Sequence, residues 1–349
     1  MEKRITVADI RRQLLADLIG KDSHRGVTLT YAWLANQFGH FSLGFIPTLL
    51  IYRLFLLWMN DHQADIWAPV SVGLFWLVFE TINFLGPLLS RRSRLSKPAS
   101  RHKEVFPPAW SNIAFDTATD VLYFWFGALA AGLFLFYSPE RLLALILHFI
   151  LLLYPTYYWF VTRMYLQAAQ YPFQFRLSQW NFDLSPDQKN AVLQFLEHSG
   201  GHHLLLFGPG GSGKTSLGVA LATERSFRHN ACTYTTGIKL YSRFFDNHEG
   251  TNVREPLWDW RSCNTLVIDD INPGKPVQKE LVTPADFLQF LNTYADNQSN
   301  CDILQNASII WILGCGQITE NTVGDWHNML QSIGVPADNI VSLHLKNNA

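Results

Sequence analysis

Four long apolar runs dominate the first half of the chain. Two of them, Val121–Pro139 and Leu142–Thr162, contain no Asp, Glu, Lys or Arg. The other two, Phe41–Met59 and Ile66–Ser90, each contain a single charged residue. About 20 mostly apolar residues are enough to cross a bilayer as a helix, so each run is a candidate span. The pattern therefore predicts an α-helical transmembrane region of four spans over residues 41–170.

A soluble bundle of apolar helices is the alternative to this prediction. Such helices carry polar stripes at helical spacing, because one face of each meets water. In Leu142–Leu153 the only polar residue is His148. The sequence therefore favours a membrane.

Three ionisable residues lie inside the runs: Arg53, Glu80 and His148. Ionisable groups are costly within a bilayer and often have a function there. The long side chain of Arg53 can reach toward the outer surface. For Glu80 and His148 we expect polar contacts between helices. An ion or proton pathway lined by these two residues is the alternative.

Residues 1–40 precede the first span and carry a short helix signal. Thr6-x-x-Asp9 resembles a capping box, and Ile10, Leu14 and Leu18 then recur at four-residue spacing. We expect an amphipathic helix that lies on the membrane surface or docks against the second half of the chain.

The basic residues of the loops predict the orientation of the spans. Six Lys or Arg precede the first span, none lies in Asn60–Asp65, six lie in Arg91–Lys103, and the last short loop contains Arg141 alone. Basic residues accumulate on the cytoplasmic side of a membrane protein. We therefore expect a multi-pass protein of the plasma or inner membrane, with both termini cytoplasmic and lipid headgroups near the basic loops. Topology also explains Arg91–Lys103 without nucleic acid, which is a weaker alternative partner.

Composition divides the chain in the same way. Charged residues make up 16% of it and apolar residues 48%, whereas a typical soluble domain has about 25% charged residues. Residues 1–180 carry 16 Lys and Arg against 11 Asp and Glu, and residues 181–349 carry 11 against 17. These values exclude a disordered chain and a single soluble globule.

The four cysteines lack C-x-x-C spacing, so we expect reduced thiols.

The second half contains a phosphate-binding motif. After a linker over residues 171–184, Ser185-Pro186 predicts the start of a helix and His203–Phe207 a short strand. The strand is followed by a complete match to the Walker A pattern G-x-x-x-x-G-K-[ST]. A helix is predicted over Ser216–Glu224. The motif is Gly208-Pro209-Gly210-Gly211-Ser212-Gly213-Lys214-Thr215.

The residue types of this motif suit a nucleotide phosphate. Glycines let backbone N–H groups turn toward phosphate oxygens, and a helix N-terminus adds partial positive charge. Lys214 is expected to contact the β- and γ-phosphates and Thr215 to bind Mg²⁺. Ser216, the next residue, completes the predicted ATP-binding set that begins at Gly208.

A second motif, which ends in two acidic residues, supports the assignment of the glycine-rich motif. Thr265–Asp270 is an apolar strand that ends in two acids, as in a Walker B motif. We expect Asp269 to hold Mg²⁺ through water and Asp270 to polarise the attacking water. The predicted catalytic residues are Asp270 and the phosphate-binding Lys214. A core strand that ends in a solvated Asp pair is the alternative.

Further strands are predicted at Cys232–Thr236, Ser308–Leu313 and Ile340–Leu345, with a helix around Thr322–Ile333. Strands that alternate with helices predict a parallel sheet covered on both faces, in an α/β domain over residues 185–349. The histidine pair at 202–203 is expected to fill a strand edge. Trp258 and Trp260 suggest an exposed or interface loop.

The order of these motifs resembles the core of AAA+ ATPases, and Cys263–Asp270 is similar to the DnaA/IstB/DnaC-like group. The resemblance covers residues 185–345 and implies the strand order 5-1-4-3-2, with ATP at the carboxyl edge of the sheet. It leaves the membrane half unrecognised.

Three departures from this family qualify the resemblance. A polar sensor at the end of the fourth strand is offered only by Cys315 or Gln317. No Arg follows Arg261, so Arg243, Arg254, Arg261 or a partner protein would supply any arginine finger. We expect no helical lid after the fifth strand.

Together these features predict a membrane-anchored cytoplasmic P-loop ATPase. It would bind Mg·ATP and hydrolyse it to drive or regulate assembly or remodelling of a partner at the membrane, as a homo-oligomer or with another protein. A nucleotide-gated switch with little hydrolysis and a transport component are the alternatives.

Overall fold

The computed structural model describes residues 4–19, 27–95, 105–198, 200–244, 257–271, 283–293, 297–314 and 320–346. Internal packing divides the chain into two units. The helical unit comprises Gln13–Arg101 and Ala109–Arg163, and the sheet unit comprises Met1–Arg12, His102–Pro108 and Met164–Ala349.

Four long helices carry the predicted spans: α2 (Leu29–Phe55), α3 (Asp61–Leu95), α4 (Trp110–Leu135) and α5 (Pro139–Ala168). All four are long and apolar enough to cross a membrane, by length and composition. Each helix extends beyond the apolar run that predicted it at one or both ends, because polar flanking residues continue the helical hydrogen bonding. The prediction of four candidate spans is confirmed at that level.

Two glycines let α2 and α4 approach closely. A Cβ atom on Gly44 would collide with the carbonyl oxygen of Phe124, and one on Gly127 would collide with that of Phe41. Small residues at such crossings allow backbone contact between helices in lipid. The close approach therefore depends on glycine at both positions.

A buried ion pair joins the first part of α3 to the first part of α5. Both guanidinium nitrogens of Arg141 donate to the carboxylate of Asp65, and Nη1 of Arg141 also donates to the carbonyl oxygen of Gly132 at 2.9 Å. The Asp65 side chain is 4% exposed. α3 and α5 therefore begin at the same end of the bundle, as alternating spans require.

The ionisable residues of the apolar runs lie in different settings. The ring nitrogen Nε2 of His148 on α5 is 2.8 Å from the carbonyl oxygen of Leu122 on α4, a polar contact between helices of the kind expected. Arg53 is exposed, and Glu80 is partly exposed.

A short helix, α1 (Val7–Ile19), precedes the first span. The Thr6 and Asp9 side chains each accept a hydrogen bond from the other residue's backbone N–H, so the predicted capping box is present.

The sheet unit contains a five-stranded parallel sheet of order β2-β3-β4-β1-β5, which confirms the predicted order. The strands are β1 (His203–Gly208), β2 (Cys232–Thr236), β3 (Thr265–Asp269), β4 (Ser308–Gly314) and β5 (Ile340–His344). The helices of this unit are α6 (Pro186–Glu197), α7 (Lys214–Phe227), α8 (Gly237–Phe244), α9 (Pro284–Thr293), α10 (Asn297–Asn306) and α11 (Glu320–Ser332).

Both faces of the sheet are buried, as expected for parallel strands. Leu204 and Leu206 of β1 pack with Leu217 of α7 on one face. Trp311 of β4 contacts Phe287 and Trp326 on the other, with ring centroids 5.4 and 5.8 Å apart.

Two aromatic segments lie deeper than the sequence suggested. Trp258 and Trp260 are 3% and 1% exposed, so of the two alternatives, an exposed or an interface loop, the exposed loop is wrong. The indole N–H of Trp258 donates to the Cys232 carbonyl oxygen at 2.8 Å. In the segment over 171–184, Leu177 and Trp180 are buried in the main core. Tertiary contacts bury these rings although their neighbours in sequence are polar.

Candidate nucleotide-binding site

The glycine-rich loop lies between β1 and α7, at the carboxyl edge of the sheet. A cavity of about 380 Å³ opens above it. The cavity is lined by Phe173, Phe182, Gly210, Gly211, Ser212, Gly213, Lys214, Thr215, Ser216, Asp269, Asp270, Ile312 and Gly314. Open α/β sheets bind ligands at this edge. Nearly all of the residues predicted from the two motifs therefore meet in one cavity.

Glycine is required at both ends of the loop. Gly208 has φ +150, and a Cβ there would lie 2.5 Å from the carbonyl oxygen of Leu345. Gly213 has φ +80, and a Cβ there would lie 2.6 Å from the ring of Phe182. A side chain at either position would be strained and would collide.

The Lys214 side chain lies along the loop. Its Nζ donates hydrogen bonds to the carbonyl oxygens of Gly208, at 2.7 Å, and Pro209, at 2.8 Å. Lys214 is also the first residue of α7, and it is 9% exposed. The loop thus holds a positive charge beside a helix N-terminus, which is an arrangement that attracts anions.

The hydroxyl groups of the loop also suit an oxyanion and a hard cation. Ser212 is buried, and its Oγ makes no hydrogen bond within the described part of the chain. Thr215 Oγ1 donates to Asp269 Oδ1 at 3.3 Å. Hydroxyl and carboxylate oxygens are ligands that Mg²⁺ accepts, together with water and substrate phosphates. The residues present therefore fit a nucleoside triphosphate with Mg²⁺.

Asp269 ends β3 and is 2% exposed. Its Oδ1 accepts a hydrogen bond from the backbone N–H of Asp270 at 2.8 Å, besides that from Thr215. Its Oδ2 accepts a hydrogen bond from the hydroxyl of Tyr234 at 2.7 Å. Both carboxylate oxygens are thus engaged, and the side chain has a fixed orientation.

Asp270 is exposed to the cavity and has φ +51, in the left-handed region. Non-glycine residues held there store strain, and such residues cluster at functional sites. Partial burial, together with the negative charge of Asp269, raises the pKa of the Asp270 carboxyl, and Lys214 opposes this.

Three aromatic residues of this site were not predicted from the sequence. Phe173 and Phe182 line the cavity, and Tyr234 donates a hydrogen bond to Asp269. Tyr234 is paired with Val267, two residues before Asp269 on the adjacent strand, so its side chain shares a face with Asp269. No signal in the sequence identifies this contact, because it depends on the register between β2 and β3. For the two phenylalanines, the signal was the aromatic density of residues 171–184. Trp180 fixes this segment, because its indole N–H donates to the Gly213 carbonyl oxygen at 3.1 Å.

Other predicted positions lie outside the cavity or outside the described residues. Cys315, Gln317 and Arg254 are outside the described residues, as is the side chain of Arg243. The guanidinium of Arg261 stacks on Trp260 at 4.8 Å, and its Nε donates to Asn300 at 3.2 Å. Within the described ranges, Lys214 is the only basic residue that lines the cavity.

Histidine and cysteine chemistry is not indicated at this site. His203 is buried in β1, where its Nδ1 accepts a hydrogen bond from Trp311 at 3.0 Å, in agreement with a packing role. The described residues contain no group of three or more His, Cys, Asp or Glu that could hold a metal ion. A metal here would depend on Thr215, Asp269 and ligands from a substrate.

No protein-family model and no curated protein matches the chain. Among solved structures, the DnaC helicase loader matches with a TM-score of 0.34 and 16% identity, over 49% of this chain and 96% of that one. DnaI matches with a TM-score of 0.31 and 17% identity, over 50% and 89%. Likeness at this level says nothing about substrate or partner.

Proposed function

We propose that this protein is a membrane-anchored ATPase. Its cytoplasmic domain over residues 185–349 binds Mg·ATP and hydrolyses it to drive or regulate the assembly or remodelling of a partner at the membrane. The cytoplasmic segment 1–40, the four-span region 41–170 and the linker 171–184 complete the proposed organisation. Both termini face the cytoplasm, where ATP is available.

One observation carries this proposal: loop residues 210–215 and the acid pair Asp269–Asp270 line the same cavity at the carboxyl edge of a parallel sheet. The two motifs are 54 residues apart from Thr215 to Asp269 in sequence, yet their side chains are in hydrogen-bond contact. A core strand that merely ends in two solvated acids does not require this contact.

Each group of the cavity has a role in this function. The loop N–H groups and Lys214 bind the phosphates, and Thr215 with Asp269 holds Mg²⁺, which neutralises phosphate charge. Asp270 accepts a proton from the attacking water. Phe173 and Phe182, which also line the cavity, offer apolar ring surface to the base.

A nucleotide-gated switch with little hydrolysis is the second candidate. Lys214 is the only basic residue lining the cavity within the described ranges. Rapid phosphoryl transfer usually needs a further positive charge, and an arginine supplied by a partner raises the rate by about 10³–10⁵. The observed lining therefore favours slow turnover by the isolated chain.

Phosphate release by the purified full-length protein in detergent separates the two candidates. A rate that is abolished by Lys214→Ala and rises when membrane extract is added supports the ATPase. Tight ATP binding with a rate that stays low under all conditions supports the switch. Absence of ATP binding contradicts both.

A further inference from the structure

Within the part of the chain that the structure describes, one hydrogen bond to the Asp269 carboxylate comes from neither nucleotide motif. Its Oδ1 accepts hydrogen bonds from Thr215 and from the backbone of Asp270, which belong to the two motifs. Its Oδ2 accepts a hydrogen bond from Tyr234, on β2, at 2.7 Å. The Tyr234 bond is shorter than the 3.3 Å bond from Thr215, so it is the stronger side-chain restraint on this carboxylate.

Tyr234 is itself held firmly. Its strand pairs with β3, where Tyr234 lies opposite Val267. On the other side of the strand, its backbone N–H donates to the carbonyl oxygen of Ala169 at 2.9 Å.

This arrangement matters because Asp269 is almost fully buried. When an oxygen of a buried carboxylate loses its hydrogen-bond donor, its charge is poorly compensated and the carboxylate group can rotate. Donors that orient metal-binding side chains affect metal binding strongly, and their loss typically costs about 10- to 100-fold in metal affinity or activity.

We propose that Tyr234 is a positioning residue for the magnesium ion, with its hydroxyl holding the Asp269 carboxylate in the orientation that binds the ion. This inference rests on the proposed function, since it assigns a role to Tyr234 at the same site. Tyr234 acts through Asp269 and touches neither nucleotide nor metal.

Tyr234→Phe tests the proposal, because it removes the hydroxyl and keeps the ring. ATP binding to the full-length protein in detergent is measured by calorimetry, in EDTA and over a series of MgCl₂ concentrations. We expect the half-saturating Mg²⁺ concentration to rise about 10-fold or more, with ATP affinity in EDTA unchanged. Tyr171→Phe is the matched control, since the Tyr171 hydroxyl bonds to Ser226 Oγ at 2.8 Å, away from the cavity.

A double-mutant cycle with Asp269→Asn tests whether Tyr234 acts through the Asp269 carboxylate. If Tyr234 acts through Asp269, then Tyr234→Phe has no further effect on Mg²⁺ dependence in the Asp269→Asn background. An unchanged or lower Mg²⁺ requirement in Tyr234→Phe overturns the proposal. Equal effects of the two tyrosine variants also overturn it. If the wild type binds ATP with Mg²⁺ dependence and Tyr234→Phe behaves like it, this inference fails while the proposed function stands.

Discussion

The ammonium group of Lys214 donates a 2.7 Å hydrogen bond to the carbonyl oxygen of Gly208, the first residue of its own loop. A second bond of 2.8 Å reaches Pro209. These carbonyl groups are neutral, whereas phosphate oxygens are anionic and form stronger bonds with an ammonium group. Phosphate binding is therefore expected to draw Lys214 away from the loop carbonyls.

Replacing Lys214 by Ala should weaken ATP binding about 10- to 100-fold, because a hydrogen bond to a charged group contributes about 1.5–3 kcal/mol. Calorimetric titration with ATP measures the change. Lys189→Ala, in α6 and outside the cavity, is the control and should bind ATP like the wild type. Unchanged ATP affinity in Lys214→Ala would refute the assignment of this loop as a phosphate-binding loop.

Asp270→Asn should separate binding from turnover. Asn tolerates the left-handed backbone of Asp270 as Asp does, so the fold is preserved while the proton acceptor is lost. Loss of such a group costs about 10²–10⁴ in rate. ATP affinity should stay near that of the wild type, while phosphate release falls and nucleotide stays bound as ATP.

Asp269→Asn should instead weaken Mg²⁺-dependent ATP binding itself. Its carboxylate lies beside Thr215 at the predicted ion position, and the amide carries no charge to hold a cation. Measuring ATP affinity at fixed MgCl₂ distinguishes it from Asp270→Asn. Equal losses of binding in the two variants would contradict separate roles and would favour a structural role for the acid pair.

The topology can be tested with reporters at three positions. Fusions after Met1 and after Ala349 should report a cytoplasmic location, and one in Asn60–Asp65 an external one, because the basic residues alternate between loops. Because Asp65 and Arg141 form an ion pair, a reporter beside Arg141 should indicate the same side of the membrane as the one in Asn60–Asp65. Opposite signals from these two loops would refute the alternation.

The crossing of α2 and α4 should not tolerate Gly44→Ala. The added methyl group meets the Phe124 carbonyl oxygen, and overpacking of this kind costs about 1–3 kcal/mol. Thermal unfolding in detergent should therefore shift to lower temperature. Gly39→Ala in the same helix is the control, since its Cβ would have no atom within 4 Å. Equal stability of the two variants would argue against the close crossing.

His203 should make stability depend on pH. Burial lowers the pKa of His203 from 6.5 to about 4, so between these values the unfolded chain binds a proton that the native protein does not. The contribution of His203 to the free energy of unfolding is present above pH 6.5 and is lost as the pH falls toward 4. The total loss is about 3 kcal/mol. His203→Asn keeps an acceptor for Trp311 and should flatten the fall in unfolding midpoint across this range. The same pH slope in both proteins would contradict a buried neutral histidine.

Much of the sheet could be predicted because its strands are continuous apolar runs between strong turn signals. Cys232–Thr236 is the same in prediction and structure, and His203–Phe207 differs from β1 by one residue. The cavity could also be predicted in outline, since the spacing within each motif determines which groups meet at the strand ends. Helix bounds such as Trp110 were missed because hydropathy detects an apolar run and not the polar turns that extend it.

Contacts that depend on register between strands could not be predicted from the sequence. The Tyr234–Asp269 bond requires Tyr234 to lie opposite Val267, and that register is set by packing of the whole sheet. The burial of Trp258 likewise depends on a distant backbone acceptor, at Cys232. Local polarity around these aromatic residues gave no indication of either contact.

The hydrogen bond from Tyr234 to Ala169 has a practical consequence for producing the sheet unit alone. β2 is an edge strand of the sheet, and unpaired edge groups promote association with other chains. A soluble fragment that begins at the predicted domain boundary, Ser185, would lack Ala169 and leave this edge N–H open. It would also lack Trp180, which is 1% exposed in the core. A fragment that begins at Met164 retains both and should stay monomeric at concentrations at which the shorter one precipitates.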